Sequence, residues 1–308
     1  MKAVYYTQHG GPEVLTYGVL PDPVPGPGQV LVGLQAASVA PLDWKLRAGL
    51  LSAHFTPAFP KIPGRDGAGV VLSADSASGF APGDRVGVMA PAPLAAGTCA
   101  ERIAVNPSQL IRLPGGLGMV DAAAVINAGL SAWISAVRTA DVQPGAKVLI
   151  HSGAGAVGGI LVQLCKHLGA EVTATCRSTN RDYVQGLGAT RAVAYDLEDF
   201  TTLPPQDIVF DLMGGAVHAE SYRVLAPGGH LVWLTAAPIT DQGAAYGVRV
   251  TRAMISDDAE AVEQIMALVA QGIIAPQVAG TLPLSQAAEA QRRLAAGEVT
   301  RGRLVLTI

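Results

Sequence analysis

Residues 147–180 read KVLIHSGAGAVGGILVQLCKHLGAEVTATCRSTN, and this stretch decides the fold. An apolar strand runs into the glycine-rich turn GAGAVG, which leads directly into a helix with an apolar face and then into a second strand. Glycines in such a turn let the backbone bend sharply and approach a pyrophosphate, and the helix N-terminus offers free N–H groups. The pattern predicts a dinucleotide-binding turn formed by Gly153, Gly155, Ala156, Val157 and Gly158.

The end of the second strand indicates which dinucleotide is bound. Sites that prefer NAD place an acidic residue there, about 20 residues beyond the glycines, to bind the ribose 2′-hydroxyl. Here Glu171 lies at the opposite end of the strand, whereas its exit carries Arg177 and Ser178, with Arg181 slightly further on. Arginine forms strong charge-assisted hydrogen bonds with phosphate. We therefore predict NADPH, with Arg177 and Ser178 at its 2′-phosphate; for either arginine, a solvated surface side chain is the alternative.

The pattern of predicted secondary structure changes near residue 120. Before it, short β-type runs are separated by turns rich in glycine and proline, which is typical of a compact β domain. After it, apolar strands alternate with helical stretches, as in a parallel sheet covered by helices. The tail is too short for a domain of its own and is expected to complete the first one. The predicted fold is α/β, with a Rossmann-type doubly wound sheet in residues 121–257 and a mainly β domain in residues 1–120 and 258–308.

Composition favours a small-molecule partner. The 308 residues are 50% hydrophobic and carry a formal net charge of −3, which gives no basic field for nucleic acid or an anionic membrane. The N-terminal MKAVYYTQHG lacks the pattern of a secretory signal, so we expect a cytoplasmic location. Glycines interrupt the longest weakly charged run, residues 148–165, which argues against a membrane span.

Neither the cysteines nor the histidines have the spacing of a metal site. The three cysteines, Cys99, Cys165 and Cys176, are far apart and are expected to be reduced, with Cys165 in the core. The six histidines are scattered, and we interpret each as an ordinary loop or surface residue. The sequence therefore predicts no metal.

The order of motifs along the chain resembles the medium-chain dehydrogenase/reductase superfamily, in particular its zinc-free quinone oxidoreductase and enone reductase branch. The resemblance covers nearly the whole chain and rests on the stretches KAVYYTQHGGPEVL, FPKIPGRDGAGVV, FAPGDRV, AAAVINAGLSAW, GAGAVG, DLMGG and RGRLVL. It implies that the β domain is GroES-like and catalytic. At the positions that match the family's catalytic zinc ligands, the chain has no thiol or imidazole, which zinc sites require.

The resemblance also assigns residues around the cofactor and the substrate. It implies that Asn127 and Ser131 approach the nicotinamide and phosphates, and that the backbone of Leu234 and Thr235 meets the ribose or carboxamide. Tyr195 resembles a tyrosine near the adenosine phosphate, and a structural tyrosine is the alternative. Two positions depart from the family pattern: Ala40 replaces an asparagine, and Leu50-Leu51 replaces an aromatic residue of the substrate pocket.

The implied reaction is the transfer of a hydride from NADPH to a quinone. A developing oxyanion needs donors or a proton, and the candidates near the expected cleft are Asp43 and Lys45. Reduction of α,β-unsaturated carbonyls is the first alternative, because its cofactor half would be identical. An NADPH-binding sensor with little turnover is the second.

A homodimer is expected from the segment 247–255, GVRVTRAMI. It reads as the last strand of the nucleotide-binding domain, and an edge strand has unpaired N–H and C=O groups. Relatives commonly pair this strand with its two-fold mate. A monomer is the alternative, because the charged side chains of Arg249 and Arg252 can protect the edge strand from pairing.

Overall fold

The computed structural model describes residues 1–53, 57–91, 95–234 and 239–308. Their strands are β1 (Lys2–Tyr5), β2 (Thr16–Val19), β3 (Val30–Val39), β4 (Asp66–Ala74), β5 (Arg85–Met89), β6 (Arg102–Val105), β7 (Leu110–Arg112), β8 (Lys147–Ile150), β9 (Glu171–Cys176), β10 (Arg191–Ala194), β11 (Gln206–Asp211), β12 (Leu225–Trp233), β13 (Arg249–Arg252), β14 (Val278–Pro283) and β15 (Arg303–Thr307). Their α-helices are α1 (Pro41–Arg47), α2 (Met119–Trp133), α3 (Ala156–His167), α4 (Arg181–Gly186), α5 (Gly215–Ser221), α6 (Gly243–Tyr246), α7 (Ala259–Ala270) and α8 (Ala287–Ala295).

A six-stranded sheet has the order β10-β9-β8-β11-β12-β13, and all its pairings are parallel. Strand β8 lies between β9 and β11. The next strands along the chain, β9 and β10, are added on one side of β8, and β11, β12 and β13 are then added on its other side. Ligands of doubly wound sheets bind at the carboxyl ends of the strands at such a switch point. The predicted Rossmann-type sheet is confirmed, and its switch point follows β8.

The second large sheet is mixed and has seven strands, in the order β14-β15-β3-β4-β5-β7 with β6 also on β3. The last strand of the chain, β15, pairs antiparallel with β3, so the C-terminal tail returns to the sheet that the N-terminal part begins. This membership supports the division that we propose, with residues 1–120 and 258–308 in one domain and 121–257 in the other.

Helix α2 connects the mixed sheet to α3, a helix that covers the parallel sheet. Its buried residues include Ala122, Ala123 and Ile126, and it packs against β3, β4 and α3. Together with the π-helical turn Ile134–Thr139 it forms the stretch Met119–Thr139, which is long and apolar enough to cross a membrane. Because 72% of its most apolar window is buried inside the protein, we identify it as a core helix. The sequence had drawn attention to residues 148–165 instead, which divide into β8, a turn and α3.

Candidate functional site

The glycine turn joins β8 to α3, and its backbone leaves no room for side chains at two positions. A Cβ at Gly158 would lie 2.1 Å from the carbonyl oxygen of Ser152, and one at Gly153 would lie 2.6 Å from the Cβ of Ala174. Ser152 itself has a φ of +58°, in the left-handed region that few residues other than glycine adopt. The turn is therefore held tightly against β9 and the start of α3.

The first turn of α3 presents the N–H groups that a phosphate needs. Gly155 is the residue before the helix, with an extended backbone, and Ala156 and Val157 are only half-buried. The first amides of a helix have no partners within it and carry the positive end of its dipole. A cradle of this shape fits the pyrophosphate of a dinucleotide.

A cavity of about 720 Å³ adjoins this turn at the carboxyl edge of the parallel sheet. Its wall combines apolar side chains with carboxylates, a mixture that suits a nucleoside with its ribose hydroxyls. The lining residues come from the ends of β8, β9, β10 and β11, and they are His151, Ser152, Thr175, Tyr195, Asp196, Leu197, Glu198, Asp199, Phe200, Met213 and Val217.

A series of hydrogen bonds links Ser152, at the start of the turn, to Thr175, His151 and Ser221. The N–H of Ser152 donates to Oγ1 of Thr175, and Oγ1 lies 3.2 Å from Nδ1 of His151. Ser221 donates its hydroxyl hydrogen to the carbonyl of Val217, so its oxygen is left to accept from Nε2 of His151, 3.1 Å away. These partners fix His151 as the neutral Nε2–H tautomer. Burial lowers its pKa to about 4, which keeps the ring neutral.

The interpretation of every histidine as a loop or surface residue was wrong for three of them. His151, His218 and His230 are buried, each with 3% or less of its surface exposed. Nδ1 of His218 is 2.8 Å from the Asp211 carboxylate, and its Nε2 is 3.0 Å from the Tyr222 hydroxyl. His54 lies outside the described residues.

The other oxygen of Asp211 accepts the N–H groups of Met213 and Gly214, each at 2.8 Å. The Asp211 carboxylate therefore shapes the loop that follows β11. This loop contributes Met213 to the wall of the cavity. This network was missed because DLMGG was considered only as part of a family pattern; an acid at a strand end with a histidine seven residues later was the available signal.

The exit of β9 carries the predicted Arg177 and Ser178, and the neighbouring strand adds an acid that the sequence reading missed. Nε of Arg177 donates to the Tyr195 hydroxyl at 3.2 Å. The Ser178 N–H and hydroxyl both donate to the Asp196 carboxylate, at 2.8 and 2.7 Å. The bond from the Ser178 hydroxyl is the main cause of a lowered Asp196 pKa. Along the chain this exit has no acid, but β10, which pairs with β9, brings one to it.

The Arg181 guanidinium is already paired with the Glu198 carboxylate, which belongs to the wall of the same cavity. Arg177 is exposed and lies beside Tyr195, a wall residue of the cavity. Of the two arginines, Arg177 is thus the better placed for a cofactor phosphate.

Asn127 and Ser131, which the resemblance assigns to the nicotinamide end, lie one turn apart on α2, with the Ser131 hydroxyl 3.5 Å from Oδ1 of Asn127. Asn127 is half-buried and Ser131 is buried. Leu234 follows β12, and its N–H donates to the carbonyl of Asp211, which links the ends of β12 and β11. The predicted Thr235 lies outside the described residues.

Asp43 is buried at the start of α1. Its oxygens accept the N–H groups of Ala40 at 2.7 Å and Gly64 at 3.1 Å. Burial outweighs these bonds and raises its pKa to about 6. Lys45 is half-buried, and its ammonium lies 5.7 Å from the centre of the Trp44 ring. The geometry gives Asp43 a part in positioning α1 and the loop at Gly64.

Within the described residues, no group of three or more histidine, cysteine, aspartate or glutamate side chains is arranged to hold a metal ion. The three cysteines are free and buried, and burial raises their thiol pKa values. Cys165 lies in the core, as expected.

Comparison with known proteins agrees with this architecture. Residues 26–135 match the family described as alcohol dehydrogenase GroES-like domain, and residues 187–306 match the family described as zinc-binding dehydrogenase. The NADPH-dependent alkenal/one oxidoreductase of Arabidopsis thaliana is 32% identical over 99% of this chain and 79% of its own. The chain belongs to the medium-chain dehydrogenase/reductase superfamily. Within that superfamily it falls in the zinc-free branch, and it is an oxidoreductase.

Two solved members of the superfamily have the same fold over the whole chain. The quinone oxidoreductase from Coxiella burnetii is 30% identical with a TM-score of 0.89, covering 100% of this chain and 99% of its own. The Escherichia coli quinone oxidoreductase complexed with NADPH is 25% identical with a TM-score of 0.89, covering 100% of both chains. These relatives support a nicotinamide cofactor and a small-molecule substrate.

Proposed function

We propose that the chain is an NADPH-dependent oxidoreductase that reduces quinones without zinc. The observation that carries the proposal is the glycine cradle at α3, which opens into a cavity with Arg177 beside its wall. The cradle fits the pyrophosphate, and the guanidinium of Arg177 suits the 2′-phosphate that distinguishes NADPH from NADH. The Escherichia coli relative complexed with NADPH supports this assignment.

When bound, the nicotinamide ring supplies a hydride. The chain's own residues bind, orient and provide charge. Gly153 to Gly158 hold the pyrophosphate, with Tyr195 beside the adenosine phosphate. Asn127 and Ser131 on α2, with the backbone of Leu234, orient the nicotinamide end. Lys45 supplies positive charge toward the reduced oxygen, and Asp43 holds the start of α1 in place.

Reduction of α,β-unsaturated aldehydes and ketones is the second candidate. It is favoured by the Arabidopsis relative, which is described as an NADPH-dependent alkenal/one oxidoreductase and aligns over 99% of this chain. Both reactions create a negatively charged oxygen and would use the same cofactor site.

A steady-state assay separates these candidates. NADPH consumption is measured with a series of benzoquinones and naphthoquinones and with a matched series of 2-alkenals and 2-alkenones, each at several concentrations. We expect the highest kcat/KM with a quinone. A higher kcat/KM with an enone would move the assignment to the second candidate. If NADPH binds but no acceptor of either series is reduced, both substrate assignments are wrong, and the NADPH-binding sensor with little turnover is the remaining alternative.

A further inference from the structure

Ser178 offers two donors in the same direction, its backbone N–H and its hydroxyl, and one carboxylate takes both. Oδ1 of Asp196 accepts the N–H at 2.8 Å, and Oδ2 accepts the hydroxyl at 2.7 Å. This is how an oxyanion of a phosphate monoester would be held, with two of its oxygens spanning two adjacent donors. The chain thus places its own anion on the two donors of Ser178, the residue that the sequence analysis predicts, with Arg177, at the cofactor's 2′-phosphate.

The charges around this contact do not favour a second anion. Asp196, Glu198 and Asp199 all line the cavity. Of the nearby arginines, Arg181 is paired with Glu198, and the charge of Arg177, which donates to the Tyr195 hydroxyl, already acts on Asp196 and helps to lower its pKa. A phosphate that reached Ser178 beside an ionised Asp196 would meet a like charge at close range, which is unfavourable even near solvent.

The Asp196 side chain can rotate away from Ser178 without breaking a hydrogen bond to any other described residue. It is exposed, it follows β10 rather than lying within it, and its side-chain bonds are confined to Ser178 and its own backbone. A rotation of this one side chain would free both Ser178 donors while Arg177 stays where it is.

We propose that Asp196 is a specificity-determining residue that competes with the 2′-phosphate of NADPH for Ser178. NADPH binds only when the carboxylate turns away, whereas NADH, with a 2′-hydroxyl, leaves the Ser178–Asp196 contact in place. The inference rests on the proposed use of NADPH. It implies that Arg177 and Ser178 together hold NADPH less tightly than they would without Asp196.

The test compares Asp196→Ala, Asp196→Asn and a control, Asp182→Asn. The control removes the same charge from an exposed residue of α4 that does not line the cavity. Dissociation constants are measured by titration for NADPH, NADH, adenosine 2′,5′-bisphosphate and AMP. The last two probes isolate the effect of the 2′-phosphate from that of the nicotinamide.

We expect Asp196→Ala to tighten NADPH and adenosine 2′,5′-bisphosphate roughly tenfold, because a repulsive charge is lost and two donors are released. The affinities for NADH and AMP should change less than twofold, and Asp182→Asn should change the affinity for no ligand by more than about twofold, since that charge is neither on Ser178 nor in the cavity wall. The gain in NADPH affinity of Asp196→Asn should be smaller than that of Asp196→Ala but larger than that of the control, because the amide oxygen still competes for one of the two Ser178 donors.

Other results overturn the inference in distinguishable ways. If Asp196→Ala weakens NADH and leaves NADPH unchanged, the carboxylate binds the ribose hydroxyls, and the NADPH assignment fails with it. If all four ligands weaken equally, Asp196 is only structural. If nothing changes, the competition does not exist, and the NADPH assignment still stands or falls on Arg177.

Discussion

Thr175 on β9 and His151, which directly follows β8, have side chains that lie 3.2 Å apart, Oγ1 to Nδ1, next to the glycine turn. Thr175 also accepts the N–H of Ser152, and its hydroxyl hydrogen can be donated to Nδ1 of a neutral His151 ring. A protonated imidazole would turn Nδ1 into a donor, so the Thr175 hydroxyl would have to accept rather than donate at this contact. The bonds around Ser152 as they stand match a neutral histidine.

Acid should destabilise the protein through His151. Its pKa is about 4 in the folded protein and about 6.5 when unfolded. Between these values the unfolded chain binds the additional proton, so stability is full above pH 6.5 and falls as the pH drops toward 4. The contribution of this group is about 3 kcal/mol, from 1.36 kcal/mol for each pKa unit.

Urea unfolding of the unmutated protein, His151→Gln and His167→Gln at several pH values between 7.5 and 4.5 measures this contribution. His151→Gln should be less stable at pH 7.5 but should lose less stability on acidification. The exposed His167 is the control and should leave the pH dependence as it is. An unchanged slope in His151→Gln would contradict the assignment.

Gly155 and Gly158 should separate cofactor binding from folding. A Cβ at Gly155 meets only Ser152, at 3.0 Å from Oγ and 3.2 Å from the carbonyl oxygen, and the backbone there is extended. Gly155→Val should therefore fold while its side chain blocks the approaching pyrophosphate, so NADPH binding is lost. Gly158→Ala places a Cβ on the Ser152 carbonyl and should lower the Tm. Circular dichroism melting and fluorescence titration check both. Normal NADPH binding by Gly155→Val would show that the phosphate site lies elsewhere.

Arg177 should carry most of the preference for NADPH. Arg177→Ala is expected to weaken NADPH roughly tenfold through the loss of one charge-assisted bond, with little effect on NADH. Arg191→Ala is the matched control, because that exposed side chain lies at the start of β10, and the cavity is lined by residues that follow the other end of this strand. Titration of both cofactors against both variants gives the comparison. An NADPH affinity that stays unchanged in Arg177→Ala would refute the assignment.

These contrasts show what the sequence could and could not predict. The strand-turn-helix order around Gly155 predicted the sheet and its nucleotide edge, because periodicity and turn chemistry are local. Asp196 lies 18 residues from Ser178, and only the pairing of β10 with β9 brings them together. His151 looked ordinary because its partners, Thr175 and Ser221, come from other elements. The edge position of β13 was predictable, but the packing of Val248 and Val250 onto the chain's own core was not.

Zinc should be dispensable for activity. Tetrahedral zinc sites need four closely placed ligands, and the positions that match the family's ligands lack a thiol or imidazole. We expect purified protein to contain far less than one zinc per chain and to keep its kcat after dialysis against a chelator. Elemental analysis and the NADPH oxidation assay decide this. Activity that disappears with the metal and returns with added zinc would disprove it.

The edge strand β13 should pair with its counterpart in a second chain. It ends the sheet order, and Met254 beyond it is 68% exposed. Because Val248 and Val250 pack partly inward, the backbone of Arg249–Arg252 would form most of the contact. Light scattering at micromolar concentration should give twice the 31.5 kDa of one chain. Val250→Pro should give monomers by removing an edge N–H; a mass of one chain for the unmutated protein rejects the dimer, and a dimer that survives the proline rejects this strand.

One backbone bond joins the two halves of the molecule at the cradle itself: the N–H of Gly302, just before β15, donates to the carbonyl of Ala154 at 2.8 Å. If this bond is kept, any rotation of one domain relative to the other must pivot close to it. Such a rotation would leave the distance between the domains unchanged at the pyrophosphate and would change it most at the nicotinamide end. We expect an ordered kinetic scheme, in which the dinucleotide enters first and leaves last and the acceptor exchanges while the dinucleotide stays in place.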